Sequence, residues 1–166
     1  GDWVAPHGKG VHADMLFKGR RSYVDRSNFE AEVDVMFARP EDGIQEVPVL
    51  RGSALKVAHQ APEAGYKPVL KKWNRRKLEK GGDSNIIVEN GPCFVFRTRT
   101  VTGEDGRVIR ANYGKIHDDI QLFVRTTDTL KVQFTYYFNP NVNDRNLEFD
   151  TKRNLAGDSR FPARDP

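Results

Sequence analysis

The sequence predicts an all-β fold, an antiparallel β-sandwich or jelly roll with at most one short helix, and three observations carry that expectation. Residues 29–37 alternate with a period of two, so Phe29, Ala31, Val33, Val35 and Phe37 share one face while Glu30, Glu32 and Asp34 share the other. The alternation returns at Leu130, Val132, Phe134, Tyr136 and Phe138, with Lys131, Gln133, Thr135 and Tyr137 opposite. Both segments are half polar, which marks antiparallel sheets packed on one side and wet on the other, because parallel strands are buried on both faces and read as unbroken apolar runs.

The elements follow in order. Residues 1–10, with Pro6 and three glycines, read as an extended arm, and residues 151–166 as a surface tail, both belonging to one domain that spans 1–166. A first strand is expected over Val11 to Phe17, then a polar connection from Lys18 to Ser27. The strand at Asn28 to Phe37 stops at Pro40-Glu41-Asp42-Gly43, where proline presets φ and glycine allows its positive value. Ile44 to Leu50 and Ala54 to Ala58 read as short extended pieces, the first at an edge because Pro48 cannot donate to a ladder.

Pro68 to Lys80 reads as the one short helix, with proline in its first turn, Val69, Leu70 and Trp73 on a partial apolar face, and Gly81 as terminator. Phe94 to Val101, the Asp-Gly turn at 105–106 and Arg107 to Ile116 form a β-hairpin. Asp119 to Arg125 and Leu130 to Phe138 continue it as a meander. The asparagine-rich stretch 139–146 is a loop, and Leu147 to Phe149 a last brief strand.

Size and composition bound the function. A chain of 166 residues buries a core without staples, and its one cysteine, Cys93, excludes an intrachain disulfide and a multi-cysteine zinc site. No apolar run approaches the roughly 18 residues of a membrane span. The formal charge of +4 favours a polyanionic partner over a polycationic one. Beginning at Gly1 rather than Met, the chain reads as starting after processing or at an artificial boundary, with any secretory signal already gone, and a secreted or periplasmic location is the expectation. Phosphate-cradling loops, dinucleotide fingerprints, H-E-x-x-H and G-x-S-x-G are all absent from the sequence, which sets aside nucleotide-dependent and serine-hydrolase chemistry.

Three constellations carry chemistry. Glu30, Glu32 and Asp34 stand about 6.5 to 7 Å apart along one strand face, near the separation at which paired carboxylates cleave glycosidic bonds, one protonated and one ionised. The same row also reads as a solvated outer face. Tyr113, Lys115 and His117 point the same way on one strand, a set able to neutralise a uronate and abstract its proton in polysaccharide β-elimination. Asp118 and Asp119 follow at once and are placed to orient the histidine or to hold calcium, the one metal the sequence suggests. The basic run Lys67, Lys71, Lys72, Arg75, Arg76, Lys77 and Lys80 suits a phosphate or sulfate backbone and surrounds Trp73, which offers a stacking surface for a base or a sugar ring.

The expected function is carbohydrate recognition, with an anionic polysaccharide as the favoured partner and nucleic acid not expected. Trp73, Arg75, Tyr136 or Tyr137, and Asn141, Asn143 and Arg145 of the loop are the expected contacts, since sugars are held by stacking and by groups that both donate and accept hydrogen bonds. A small polysaccharide lyase or glycoside hydrolase on the same fold is the alternative, using Tyr113, Lys115 and His117 or the carboxylate row. A structural or protein-interaction domain is the third reading; it would expose an apolar patch or a free strand edge.

Overall fold

The computed structural model describes residues 13–77, 92–126 and 128–150, so the expected arm at 1–10, the tail at 151–166, and Lys80 and Gly81 lie outside the described residues. Seven strands follow in chain order: β1 (Met15–Asp25), β2 (Asn28–Phe37), β3 (Gly43–Val47), β4 (Val69–Lys77), β5 (Cys93–Thr102), β6 (Val108–Thr126) and β7 (Thr129–Asn139). All strand pairs are antiparallel. They form a three-stranded sheet, β1-β2-β4, facing a four-stranded sheet, β3-β5-β6-β7. The architecture is a β-sandwich without helix among the described residues.

The alternation of β2 decides how the layers meet. Ala31, Val33 and Val35 turn inward onto Phe94 and Phe96 of β5 and Ile116, Ile120 and Leu122 of β6, with Phe134 and Phe138 of β7 at the margin. The four-stranded sheet is covered on its other side too, where Val57, Ala61 and Leu147 from two loops pack on Cys93, Val95, Ala111 and Tyr113. This double cover explains why residues 111–116 are buried without alternation, whereas β2 shows every second residue to water.

The structure departs from the sequence reading in several places. Residues 68–80 are not a helix: Val69–Lys77 is an edge strand paired with β2. Its inward positions are Leu70, Lys72 and Asn74, and the polar pair is satisfied across the sandwich. Lys72 Nζ meets Asp119 Oδ1 at 2.6 Å and lies 5.5 Å from the Phe94 ring centre, while Asn74 Nδ2 donates to the Leu122 carbonyl at 2.9 Å. Buried polar groups of this kind erase the period-two signal. Most of the expected connection from Lys18 to Ser27 is likewise strand, ended by a turn in which Ser27 N donates to Asp25 Oδ1 at 2.7 Å.

Two expected strands, Arg107 to Ile116 and Asp119 to Arg125, are one long β6 with a bulge at Asp118, whose φ is +66°. There the ladder to β7 jumps from His117↔Thr135 to Gln121↔Gln133. Ala54 to Ala58 is not extended but turns back, with Lys56 at φ +54°. The last expected strand, Leu147 to Phe149, is not formed; a single bridge joins Gln60 to Asn146 just before it.

Candidate functional site

Because β5 and residues 111–116 of β6 are covered on both sides, the candidate surface is the outer face of β1-β2-β4, where three strands lie side by side. Register builds it row by row. Lys18, Asp34 and Lys71 stand side by side, then Arg20, Glu32 and Trp73, then Ser22, Glu30 and Arg75. The carboxylates of β2 form a central column flanked on both sides by cations, as cross-strand pairing of opposite charges favours.

Arg20 Nη2 reaches Glu32 Oε1 at 2.7 Å, and Arg75 forms an ion pair with Glu30. The Arg20 guanidinium, first by its hydrogen bond and then by its charge, holds the Glu32 carboxyl below the usual carboxylate range. Such a group stays ionised and accepts hydrogen bonds; it does not store a proton for acid catalysis. Lys18, Arg20, Lys71, Arg75 and Lys77 outnumber Glu30, Glu32 and Asp34, so the face is net positive.

Trp73 stands in this field 67% exposed, next to the Glu32 backbone across the ladder. The other expected stacking residues lie elsewhere. Tyr136 and Tyr137 face opposite ways: Tyr136, 45% exposed, sits beside Phe134 at the margin of the sandwich, with a ring distance of 6.2 Å. Tyr137 packs edge-on against Phe149 at 4.5 Å on the far side of the four-stranded sheet. Trp73 and Arg75 thus belong to one surface, and neither tyrosine joins it.

Tyr113, Lys115 and His117 do share a face, the one beneath the loops. Tyr113 is 5% exposed and Lys115 has no exposure at all. Lys115 Nζ donates to the Leu55 carbonyl at 3.2 Å and lies 5.1 Å from the Tyr137 ring centre. Burial pushes its pKa down to about 8, partly offset by Cys93. His117 is held below the ordinary histidine range, first by burial; Asp118 opposes the shift and Lys56 and Lys115 reinforce it. In this arrangement the loop at 50–58, not open solvent, lies over the lysine.

Asp118 and Asp119 do not converge. Asp118 Oδ1 pairs with Lys56 Nζ at 2.5 Å, and Asp119 turns through the sandwich to Lys72. Among the described residues, no group of three His, Cys, Asp or Glu gathers as a metal site. The asparagine loop spends its hydrogen bonds within the fold, on itself, on β6 and on residues 60–63. Asn143, at φ +61°, accepts from Ala111 N at 2.9 Å and donates to the Ile109 carbonyl at 2.9 Å, standing in for a strand along β6. Asn141 N donates to Asn139 Oδ1 at 3.0 Å, and Arg145 Nη1 donates to the Ala61 carbonyl at 3.2 Å while Nη2 meets Glu63 at 3.1 Å.

The sequence reading missed Lys18 and Arg20 as members of the outer face. Their signal was present in the period-two spacing of Lys18, Arg20 and Ser22, which becomes informative once the segment is known to be a strand. No protein-family model, curated protein or solved structure matches the chain. Among the described residues no helix is long and apolar enough to cross a membrane.

Proposed function

We propose that this domain recognises carbohydrate chains on the outer face of its three-stranded sheet, with Trp73 as the stacking platform. The single observation that carries the reading is a tryptophan two-thirds exposed midway along edge strand β4, framed by the Arg20–Glu32 and Arg75–Glu30 pairs. An indole left in water covers apolar surface only when something stacks on it, and the apolar face of a pyranose ring does so while its hydroxyls reach the charged groups at the rim. The cationic excess of the face favours anionic polysaccharides, uronates in particular.

Binding without turnover fits this surface better than cleavage does. A glycosidase or lyase surrounds the scissile bond with a cleft, whereas Glu30 and Glu32 stand on the outer face of a sheet and are paired with arginines. Titration with neutral and uronate-containing polysaccharides, followed by isothermal calorimetry and ultraviolet detection of unsaturated product, tests the proposal. Uronate binding, no product, and at least tenfold weaker binding by Trp73→Ala are expected. Undiminished binding by Trp73→Ala, or no polysaccharide bound at all, would sink it.

A further inference from the structure

The sequence holds two Asp-Gly steps, Asp42-Gly43 and Asp105-Gly106, each preceded by glutamate. In an Asp-Gly step the side-chain carboxyl condenses readily with the next backbone nitrogen, because glycine has no Cβ to crowd the five-membered ring that forms. The residues on either side scarcely distinguish the two steps. The fold does.

Asp42 is 3% exposed and its carboxyl is fixed. Oδ1 accepts from Thr100 N at 2.8 Å, and Oδ2 accepts from Arg99 N at 3.1 Å and Thr98 Oγ1 at 3.4 Å. Gly43 opens β3 opposite Arg97, and a Cβ there would stand 2.7 Å from the Lys67 carbonyl oxygen. Ring closure at this step would leave three donors without their acceptor inside the protein and twist backbone that is already packed.

Asp105 stands in the opposite setting. It lies at the tip of the hairpin between β5 and β6, its side chain 60% exposed, with Glu104, Gly106 and Arg107 exposed around it. Gly106 has nothing within 4 Å of where a Cβ would stand. Asp105 Oδ1 accepts from Arg107 N at 3.0 Å, a bond that folds the carboxyl back over the Gly106 peptide, and intramolecular reactions gain when their groups are held close. Gly106 N donates to the Gly103 carbonyl at 3.0 Å, and in a turn open to water that bond exchanges with solvent at little cost.

We propose that Asp105 is a covalent modification site, where aspartate isomerises to isoaspartate through a succinimide, and that the fold protects Asp42 from the same reaction. Gly106 N attacks Cγ of Asp105 in its carboxylic acid form; the Cγ–N bond closes the ring, and the amide proton leaves with the acid hydroxyl as water. Water then opens the ring. Cleavage of the new Cγ–N bond returns aspartate. Cleavage of the older bond, between the Asp105 carbonyl carbon and Gly106 N, leaves the chain running through Cβ and Cγ with the former carbonyl as a free carboxylate. One water leaves and one enters, so mass is unchanged and nothing is oxidised or reduced. The isomer adds one carbon to the backbone of the turn and moves the carboxylate away from Arg107 N and Nε. The change falls at the tip, beyond the last paired residues, Thr102 and Val108.

The full chain, kept folded for weeks at body temperature, then digested and mapped by chromatography and mass spectrometry, tests the proposal; isoaspartate is identified by fragmentation and by an isoaspartate-directed methyltransferase with a labelled methyl donor. Isoaspartate is expected at position 105 in at least tenfold excess over position 42. In guanidinium, which removes the fold, the two sites should approach one rate. Gly106→Ala should slow the reaction at 105 at least threefold, and Asp105→Glu, whose ring needs another member, should abolish it. Deamidation at Asn90-Gly91, outside the described residues, adds mass and falls on a different peptide, so it is told apart. No isoaspartate at 105, or equal amounts at 42 and 105 in the folded chain, overturns the proposal. So does an excess at 105 that persists in guanidinium, or a rate there indifferent to Gly106→Ala.

Discussion

Lys115 and Leu55 are joined by a hydrogen bond of 3.2 Å from the buried ammonium to a loop carbonyl, and no carboxylate among the described residues pairs with that ammonium. The sheet therefore holds a cation without a counterion, tied to the loop that covers it. Desolvation lowers its pKa from 10.5 to about 8. Between those values the unfolded chain keeps a proton that the folded chain has released, so stability rises with pH across the window; below about 8 the full penalty applies. At neutral pH that penalty is on the order of 3 kcal/mol.

Lys115→Met is accordingly expected to stabilise the protein at pH 7 by on the order of 2 kcal/mol, after loss of the contacts to Leu55 and the Tyr137 ring. The gain shrinks as pH rises from about 8 toward 10.5. Urea unfolding of both proteins across this range measures it. A variant less stable than wild type by a pH-independent amount would show that the ammonium contributes net stability.

His117 responds on the acid side. Its Nδ1 is buried without a partner, and burial, the main cause, keeps its pKa under the ordinary 6.5. The unfolded chain takes up a proton below 6.5 that the folded chain resists, so stability falls as pH drops from there to the folded-state pKa. His117→Phe removes that slope and keeps a ring against Tyr137. Thermal melts at pH 7 and pH 5 should show the variant losing less than wild type, and an NMR titration of His117 should have its midpoint under 6.5. A midpoint above that value contradicts the arrangement of Lys56, Lys115 and Asp118 around the ring.

The sheets were legible where a strand buries one face and wets the other. β2 and β7 have that pattern, and their alternation predicted the faces that Val33 and Phe134 present to the core. β4 was not legible, because Lys72 and Asn74 point inward and find partners on β6, contacts between residues far apart in sequence. β1 beyond Phe17 was hidden for a related reason: as an exposed edge strand it has almost no buried face to announce. At the site, the spacing of Tyr113, Lys115 and His117 correctly placed them on one face. It carried no information about the loop that folds over Lys115, and so none about exposure. The exposure of Trp73 was equally unreadable, since the same run fits a tryptophan turned into a core.

Asp42 anchors the bulge of β5. Only 3% exposed, it accepts hydrogen bonds from Arg99 N at 3.1 Å, Thr100 N at 2.8 Å and Thr98 Oγ1 at 3.4 Å, where Arg99 takes φ +57°. Asp42→Ala strands two backbone donors and is expected to destabilise by about 3 kcal/mol or more. Asp42→Asn, which keeps one acceptor oxygen, loses less. Urea midpoints of the three proteins decide this, and an alanine variant within about 1 kcal/mol of wild type would mean that water or a shifted backbone replaces the carboxylate.

Gly114 sits between Phe96 and Phe138 in the cross-strand register, and the two rings stack over it with centres 6.3 Å apart and planes within 12°. A Cβ at this position would lie 2.5 Å from the Tyr137 carbonyl oxygen and nearer still to Phe96 Cζ, so the glycine is what lets the aromatic pair close. Neither neighbour can yield cheaply, one being ladder backbone and the other a fully buried ring. Gly114→Ala is therefore expected to destabilise by about 3 kcal/mol or more, through overpacking rather than backbone strain. Gly106 supplies the contrast, since at φ +76° it has nothing within 4 Å of its Cβ position. Gly106→Ala meets only the strain of the turn and costs about 1 kcal/mol. Trimming the ring in Gly114→Ala/Phe96→Leu should return part of the loss, giving a coupling of about 1 kcal/mol or more between the two sites. Equal effects at Gly114 and Gly106, or strict additivity in the double variant, would place the constraint at Gly114 in its backbone and not in the rings above it.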